Sequence, residues 1–251
     1  MVIVEHDDFD SVKNIFKRIN ERGRKLSRFD KINANLWGVG FNLRRKIEED
    51  INSETRETFG FGNVKGDMVT QALSLNIKGS CRTRTQKNLD SEEVDNEWEN
   101  TKERILLATR YLSNSLGVKQ RDFLPYAGIL PVLAYYFRKT DNDTITGHHK
   151  DVIDRWFWRV GVSGYYTKKT QNLMTKDSQL IEDLIETGSS ELYEQVNTDL
   201  TETELKDKLI DTNVKRSTAF RNLFLCILAK QEPRHFKNNE PINLTGKYYS
   251  N

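Results

Sequence analysis

The stretch SEEVDNEWENTKERILLATRYLSNSL, residues 91 to 116, decides the fold class of this chain. Its apolar and small residues recur at a near-heptad spacing, at Val94, Trp98, Thr101, Ile105, Ala108, Leu112 and Leu116. Residues that recur every three or four positions share one face of an α-helix. Gly117 follows, and glycine commonly ends a helix. The pattern predicts a long helix that packs inside a helical domain or forms a coiled-coil seam.

Similar helical patterns occur through most of the chain, and we predict about nine helices in all. The clearest further patterns lie in residues 41–51, 67–79, 151–160, 178–188, 201–210 and 217–230. Residues 1–5, MVIVE, resemble a short strand, which would have no partner for a hydrogen-bonded ladder. The predicted fold class is therefore all-α, with one or more multi-helix bundle-like domains and at most a short N-terminal strand remnant.

The most apolar run is FLPYAGILPVLAYYF, residues 123–137. It is shorter than the ~20 residues that span a bilayer, so we expect no membrane partner. Because it contains Pro125 and Pro131, we predict a buried core helix with a proline kink or break. The first ten residues lack the features of a signal peptide, and the two cysteines show no disulfide pattern. These features favour a cytoplasmic protein.

The small net charge of +2 conceals a strong charge asymmetry. Residues 13–31 contain eight basic residues against two acidic ones, and KGSCRTRTQK, residues 78–87, contains four basic residues and no acidic one. The stretches 90–99 and 182–211 are acidic. The basic stretches are either solvated faces or surfaces that approach the phosphates of nucleic acid.

Motifs of known catalytic chemistry are weak in this sequence. The glycines in GFGNVKGD, residues 60–67, fit neither a P-loop nor a dinucleotide-binding spacing, so this stretch is interpreted as a turn. His148, His149 and Asp151 are too close in sequence to converge on a metal as three ligands. We predict no metal site, no cofactor in this chain and no catalytic residue.

The stretch DRWFWRV, residues 154–160, is the most aromatic motif. Trp156 and Phe157 follow the same helix face as Ile153, which indicates core packing. Trp158 points elsewhere and would either cover a neighbouring helix or stack on a base. We interpret these three aromatic residues as a structural cluster.

The stretch IFKRINERGRKLSRFD, residues 15–30, predicts two helices joined by a glycine turn. A DNA-binding helix-turn-helix and an ordinary helix corner both fit it. In the first case residues 11–37 would serve a stand-alone helical nucleic-acid-binding module. The candidate DNA contacts are Arg22, Arg24, Lys25, Arg28 and Lys31.

Residues 11–37, SVKNIFKRINERGRKLSRFDKINANLW, resemble a segment of the GmrSD-type restriction proteins, which are type IV, modification-dependent DNA nucleases. The family pattern is approximately F-x-x-x-N-x-x-G-x-x-L-[ST]. It is filled here by Phe16, Asn20, Gly23, Leu26 and Ser27. Residues 122–137, 154–177 and 223–244 are similar to later parts of the same family, in the same order.

The resemblance implies two flanking domains whose motifs this chain lacks. One is an N-terminal ParB/sulfiredoxin-like domain with a DGQQR motif, linked to nucleotide binding and hydrolysis. The other is a C-terminal HNH-type nuclease with an H-H-I-F-P motif. No catalytic residue is carried over, so the chain alone is expected not to be an enzyme. Phe16, Asn20, Gly23 and Leu26 are carried over as structural residues, with Asn20 at the border of the nucleotide pocket.

The implied division of the chain has four parts. Residues 1–38 form the tail of the N-terminal nucleotide-binding domain, and residues 39–79 form a helical connector. Residues 90–232 form a helical domain, and residues 233–251 form a linker toward the nuclease. The implied function is to couple a nucleotide-responsive domain to a nuclease, with the two missing domains and DNA as partners.

Overall fold

The computed structural model describes residues 27–37, 40–198, 200–211 and 218–245. Within these ranges the regular secondary structure is helical, apart from an isolated antiparallel bridge between Arg234 and Pro241. The prediction of an all-α, multi-helix fold is thereby confirmed. The strand predicted at residues 1–5 lies outside the described residues.

The described part of the chain contains twelve α-helices, numbered here in chain order. They are α1 (Arg28–Trp37), α2 (Leu43–Lys46), α3 (Ser53–Glu57), α4 (Gly66–Lys78), α5 (Thr83–Lys87), α6 (Ser91–Ser115), α7 (Ile129–Thr140), α8 (Gly147–Ser163), α9 (Thr170–Thr187), α10 (Glu191–Glu194), α11 (Glu202–Asp211) and α12 (Ala219–Lys230). A π-helical segment, Ile47–Asn52, joins α2 to α3, and 3-10 turns occupy Arg121–Phe123 and Tyr165–Thr167.

Helix α6 is the long helix predicted from residues 91–116. The Asp90 side chain accepts hydrogen bonds from the backbone N–H groups of Glu92 and Glu93, which fixes the start of the helix. Trp98 and Ile105 on the apolar stripe are fully buried. The stripe packs against α4 and α7 of the same chain, so it serves a helical domain and forms part of its core.

Helix α7 is buried along most of its length, as predicted, but it begins only at Ile129, and neither proline interrupts it. Pro125 precedes the helix, and Pro131 lies in its first turn. A proline costs little there, because the first N–H groups of a helix have no intrahelical partner. Among the described residues, no helix has both the length and the apolar character needed to cross a bilayer.

A continuous set of buried apolar side chains extends from Ile32 to Ala229. Helix α4 packs against both α6 and α7, although residues 79–90 lie between α4 and α6 in the chain. The parts before and after this connection therefore share one core. The four-part division implied by the resemblance stays a prediction.

Candidate nucleic-acid interface

Two basic segments that are far apart in sequence meet on the surface of this helical domain. The backbone N–H of Cys81 donates to the Thr175 hydroxyl at 3.2 Å, across 94 residues of sequence. The Thr83 hydroxyl donates to the Gln171 side-chain oxygen at 2.7 Å. These bonds hold the chain before α5, and the first turn of α5, against the first turns of α9.

Six cations are exposed in the two segments that meet at this junction, and we call this set the basic surface. They are Arg82, Arg84, Lys87, Lys168, Lys169 and Lys176. The structure gives none of the six an ion pair with a described carboxylate. Lys78, the other basic residue of the 78–87 segment, differs because it pairs with Glu93.

Helix α9 carries its positive charge at one end. Its first turn contains no acidic residue, and Lys169 occupies the N-cap position. Further along, the outward-facing residues change from Lys176 to the neutral Gln179 and then to Asp183. Lys168 and Lys169 therefore lie at the N-terminal end of the helix, where the helix dipole also favours anions, and Lys176 lies between one and two turns further on.

A buried carboxylate near the middle of α9 holds this helix in place. Asp177 is fully buried and accepts four hydrogen bonds. The donors are Trp156 Nε1 at 3.2 Å, the Tyr165 hydroxyl at 3.1 Å, the Tyr166 hydroxyl, and Gln195 Nε2 at 2.7 Å. They come from α8, from the 3-10 turn before Lys168, and from the residue after α10. The network therefore ties α9, at the residue after Lys176, to three neighbouring parts of the fold.

Burial raises the pKa of the Asp177 carboxyl to about 6, and the hydrogen bonds from Tyr166, Tyr165, Trp156 and Gln195 oppose part of that rise. Burial also raises the pKa of both tyrosines, as does their proximity to the carboxylate. At neutral pH the carboxylate is therefore ionised and the tyrosines are protonated. Its two oxygens offer about four acceptor sites, which four donors saturate.

The predicted DNA contacts are only partly covered by the structure. Arg28 and Lys31 are exposed on α1. The Ser27 hydroxyl accepts the Asp30 N–H and the Asp30 carboxylate accepts the Ser27 N–H, both at 3.1 Å, which fixes the start of α1. The other predicted contacts, and the family-motif residues apart from Ser27, lie outside the described residues; they are Arg22, Arg24, Lys25, Phe16, Asn20, Gly23 and Leu26.

Helix α1 and the basic surface lie at opposite ends of α4. A Cβ atom added at Gly66, the first residue of α4, would lie 2.5 Å from the Phe29 ring of α1. The segment that carries α5 follows the other end of α4, at Lys78. A helix of 13 residues is about 20 Å long. The structure therefore does not bring Arg28 and Lys31 together with the basic surface.

The aromatic cluster lies in and beside the core. Trp156 and Phe157 are fully buried. Trp158 is partly buried, with its ring centre 5.1 Å from that of Phe157 and 5.9 Å from the Lys230 ammonium of α12. Trp158 therefore contacts the neighbouring helix α12, and its stacking on a base stays a prediction.

The adjacent histidines contact different partners. His148 Nε2 lies 2.8 Å from the Gly188 carbonyl oxygen, and His149 Nδ1 lies 2.8 Å from the Tyr136 hydroxyl. Burial lowers the pKa of His149, with a smaller effect from His148. Within the described ranges, no group of three or more His, Cys, Asp or Glu side chains is arranged to hold a metal ion.

None of the six cations of the basic surface was among the predicted DNA contacts, although residues 78–87 stand out in the sequence as a basic stretch. Residues 168–176, KKTQNLMTK, carry three lysines and no acidic residue. This is the same kind of signal that singled out residues 78–87. The charge pattern could have identified each segment, but their proximity depends on how α5 packs against α9.

The chain is distantly similar to an archaeal protein. Residues of this chain align with an uncharacterised protein of Methanocaldococcus jannaschii at 24% identity over 193 residues. The aligned region covers 73% of this chain and 32% of that protein, so the chain spans about a third of the relative's length. No family model and no solved structure matches the chain.

Proposed function

We propose that this helical domain binds the phosphate backbone of DNA through the basic surface, as the helical middle region of a GmrSD-like restriction protein. The observation that carries the DNA-binding proposal is the gathering of six exposed cations, without carboxylate partners, from two segments of the chain. Other exposed arginines of this domain, by contrast, pair with an acidic side chain, as in Arg45–Glu49 and Arg56–Glu48.

The chemistry of the basic surface suits a polyanion. Lysine and arginine side chains that neutralise phosphates release the counterions condensed on DNA, which supplies most of the sequence-independent affinity. Polar side chains lie among the cations, including the amide groups of Gln171 and of the exposed Asn172. Amide groups of this kind donate hydrogen bonds to phosphate oxygens and fix the position of a protein on the duplex.

The wider role rests on the resemblance of residues 11–37 and of three later stretches to the restriction family. In this proposal the domain connects a nucleotide-responsive domain to a nuclease in the cytoplasm, and the chain alone neither cuts DNA nor hydrolyses a nucleotide. Metal-dependent cleavage by the purified chain, lost in the variant His148→Ala, would contradict this part of the proposal.

The salt dependence of DNA affinity tests the basic surface. If all six cations contact phosphates, the slope of log K against log salt concentration is about −5, since each contact contributes about −0.9. We expect the triple variant Arg82→Gln, Arg84→Gln, Lys169→Gln to reduce this slope to about half. The measurement is fluorescence anisotropy with a labelled 30-base-pair duplex between about 50 and 200 mM NaCl.

A matched control removes the same charge elsewhere. The variant Arg45→Gln, Lys206→Gln, Lys237→Gln changes exposed cations outside the basic surface. It is expected to keep nearly the whole slope. Equal slopes in the two triple variants would show that only net charge matters, and the proposed surface would be wrong.

The alternative of a stand-alone module that binds through residues 11–37 is tested by a third variant. This variant carries Arg22→Gln, Arg24→Gln and Arg28→Gln. If it loses affinity and salt dependence while the basic-surface variant keeps both, DNA binding belongs to the predicted helix-turn-helix segment.

A further inference from the structure

A second cationic feature lies on α8 and α10, and the proposed DNA-binding surface does not include it. Arg155 and Arg159 are one helical turn apart on α8, and both guanidinium groups lie over the ring of Tyr193 from α10. Their guanidinium carbons lie 5.4 Å and 4.9 Å from the centre of that ring. We call these three residues the arginine–tyrosine stack.

The two guanidinium groups are oriented by the tyrosine and not by a carboxylate. Arg159 Nη1 donates to the Tyr193 backbone carbonyl at 3.1 Å, and Arg155 Nη1 lies 3.5 Å from the Tyr193 hydroxyl. Two guanidinium groups have ten N–H donors between them. These contacts use few of them.

Two acidic residues of α8 lie near Arg155 in the sequence. Asp151, one turn before Arg155, forms no ion pair with it in the described part of the chain, and Asp154 is already engaged. Asp154 accepts hydrogen bonds from the Lys150 ammonium and from the Tyr111 hydroxyl. Arginines elsewhere in the described part of the chain commonly have a carboxylate, as in Arg44–Asp30, Arg104–Asp141 and Arg138–Glu97. Like charges one turn apart on a helix repel each other, so the stack holds two cations together without a carboxylate between them.

The geometry points to a binding site for a phosphate group on the arginine–tyrosine stack. A guanidinium presents its donors as a planar fork that binds two oxygens at once. One fork can use both oxygens of a carboxylate, whereas a tetrahedral phosphate can accept from two forks on different sides. Two forks on adjacent helical turns therefore suit phosphate better than carboxylate.

Tyr193 fixes the direction of both forks. Stacking on an aromatic face orients the guanidinium plane and leaves its edge available for hydrogen bonds. An arginine that is already oriented loses less side-chain freedom when it binds, so the affinity depends on the ring as well as on the charge.

The test compares arginine with lysine, which keeps the charge but lacks the fork. Binding of pyrophosphate is measured by isothermal titration calorimetry for the whole chain and for the variants Arg155→Lys and Arg159→Lys. We expect each substitution to weaken binding by about tenfold or more. Tyr193→Phe keeps the ring and should bind nearly as well as the original protein, whereas Tyr193→Leu should bind about as weakly as the lysine variants. Arg45→Lys is the matched control and should have no effect.

The source of the phosphate is distinguished by a second arm with the 30-base-pair duplex. Loss of pyrophosphate binding in the lysine variants supports a site for a small phosphate-bearing ligand. Loss of duplex affinity alone supports the same site with a backbone phosphate as its ligand. Two results would overturn the inference. One is that the lysine variants bind pyrophosphate and the duplex as well as the original protein does. The other is that a glutamate-rich peptide binds in an arginine-dependent way while neither phosphate ligand binds. The pyrophosphate result does not depend on the proposed DNA function, because the basic-surface triple variant should retain it.

Discussion

Replacement of Tyr166 by phenylalanine tests whether the buried carboxylate of Asp177 holds the fold together. The change removes only the hydroxyl that donates to Asp177, and both side chains are buried. A hydrogen bond to a charged group contributes about 1.5–3 kcal/mol, and one between neutral groups about 0.5–1.5 kcal/mol. At pH 8 the carboxyl is ionised, because its pKa is about 6. We expect Tyr166→Phe to lower the free energy of unfolding by about 2–3 kcal/mol at that pH.

The same substitution should cost about half as much at pH 5. The pKa of Asp177 in the folded protein lies above the unfolded value of 3.8. Its contribution to stability is therefore complete below about pH 4 and is lost as the pH rises through about 6. Removal of the Tyr166 hydroxyl raises that pKa further, since a hydrogen bond to the charged form lowers it. The difference between the two proteins consequently grows from pH 5 to pH 8.

Urea unfolding followed by tryptophan fluorescence at both pH values measures these free energies. Tyr165→Phe is the matched control, because Tyr165 donates to the other carboxylate oxygen at 3.1 Å and is only partly buried. Water can reach its site, so we expect a cost below about 1 kcal/mol. Equal costs of Tyr166→Phe at pH 5 and pH 8, or a larger cost for Tyr165→Phe, would refute the reasoning.

Three further substitutions or reactions test other parts of the core. Gly117→Ala should destabilise the fold by at least about 2 kcal/mol, because φ is +76° and a Cβ atom would lie 2.3 Å from the Cys226 carbonyl oxygen. A thermal melt measures this, and a melting temperature equal to that of the original protein would contradict it. Burial raises the pKa of the Cys81 and Cys226 thiols to about 11 and about 12. Neither thiol should therefore react with a disulfide reagent at pH 8 until denaturant is added. Rapid reaction of the folded protein with the reagent would count against their burial. Asn52→Ala should lower the free energy of unfolding in urea by about 1–3 kcal/mol, because the Asn52 side-chain oxygen accepts the buried Val64 N–H at 2.8 Å. A change near zero would mean that water replaces the side-chain oxygen as the acceptor.

The helices could be predicted because their signals are local. The spacing of apolar residues in 91–116 and the glycine after it are contained in one stretch of chain, and α6 occupies nearly the whole predicted range. The prolines of residues 123–137 were harder to interpret. Whether a proline kinks a helix depends on its position in the helix, and Pro131 falls in the first turn of α7.

The candidate sites could be predicted only in part. The charge pattern of residues 78–87 identified one basic segment, but Arg155 and Arg159 gave no signal in the sequence. Their significance depends on Tyr193, 34 residues later than Arg159, which lies against both of them only after α10 packs on α8.

By itself, the sequence determined that this chain forms helices, where most of them lie and which segments are basic. These properties follow from the period of the apolar residues and from charge, both of which act over a few residues. Only the tertiary structure decided that residues 78–87 lie beside the start of α9, that Asp177 joins four donors, and that two arginines share one tyrosine. Such contacts depend on the angles and offsets at which helices pack, and the pattern within one helix does not specify its neighbours.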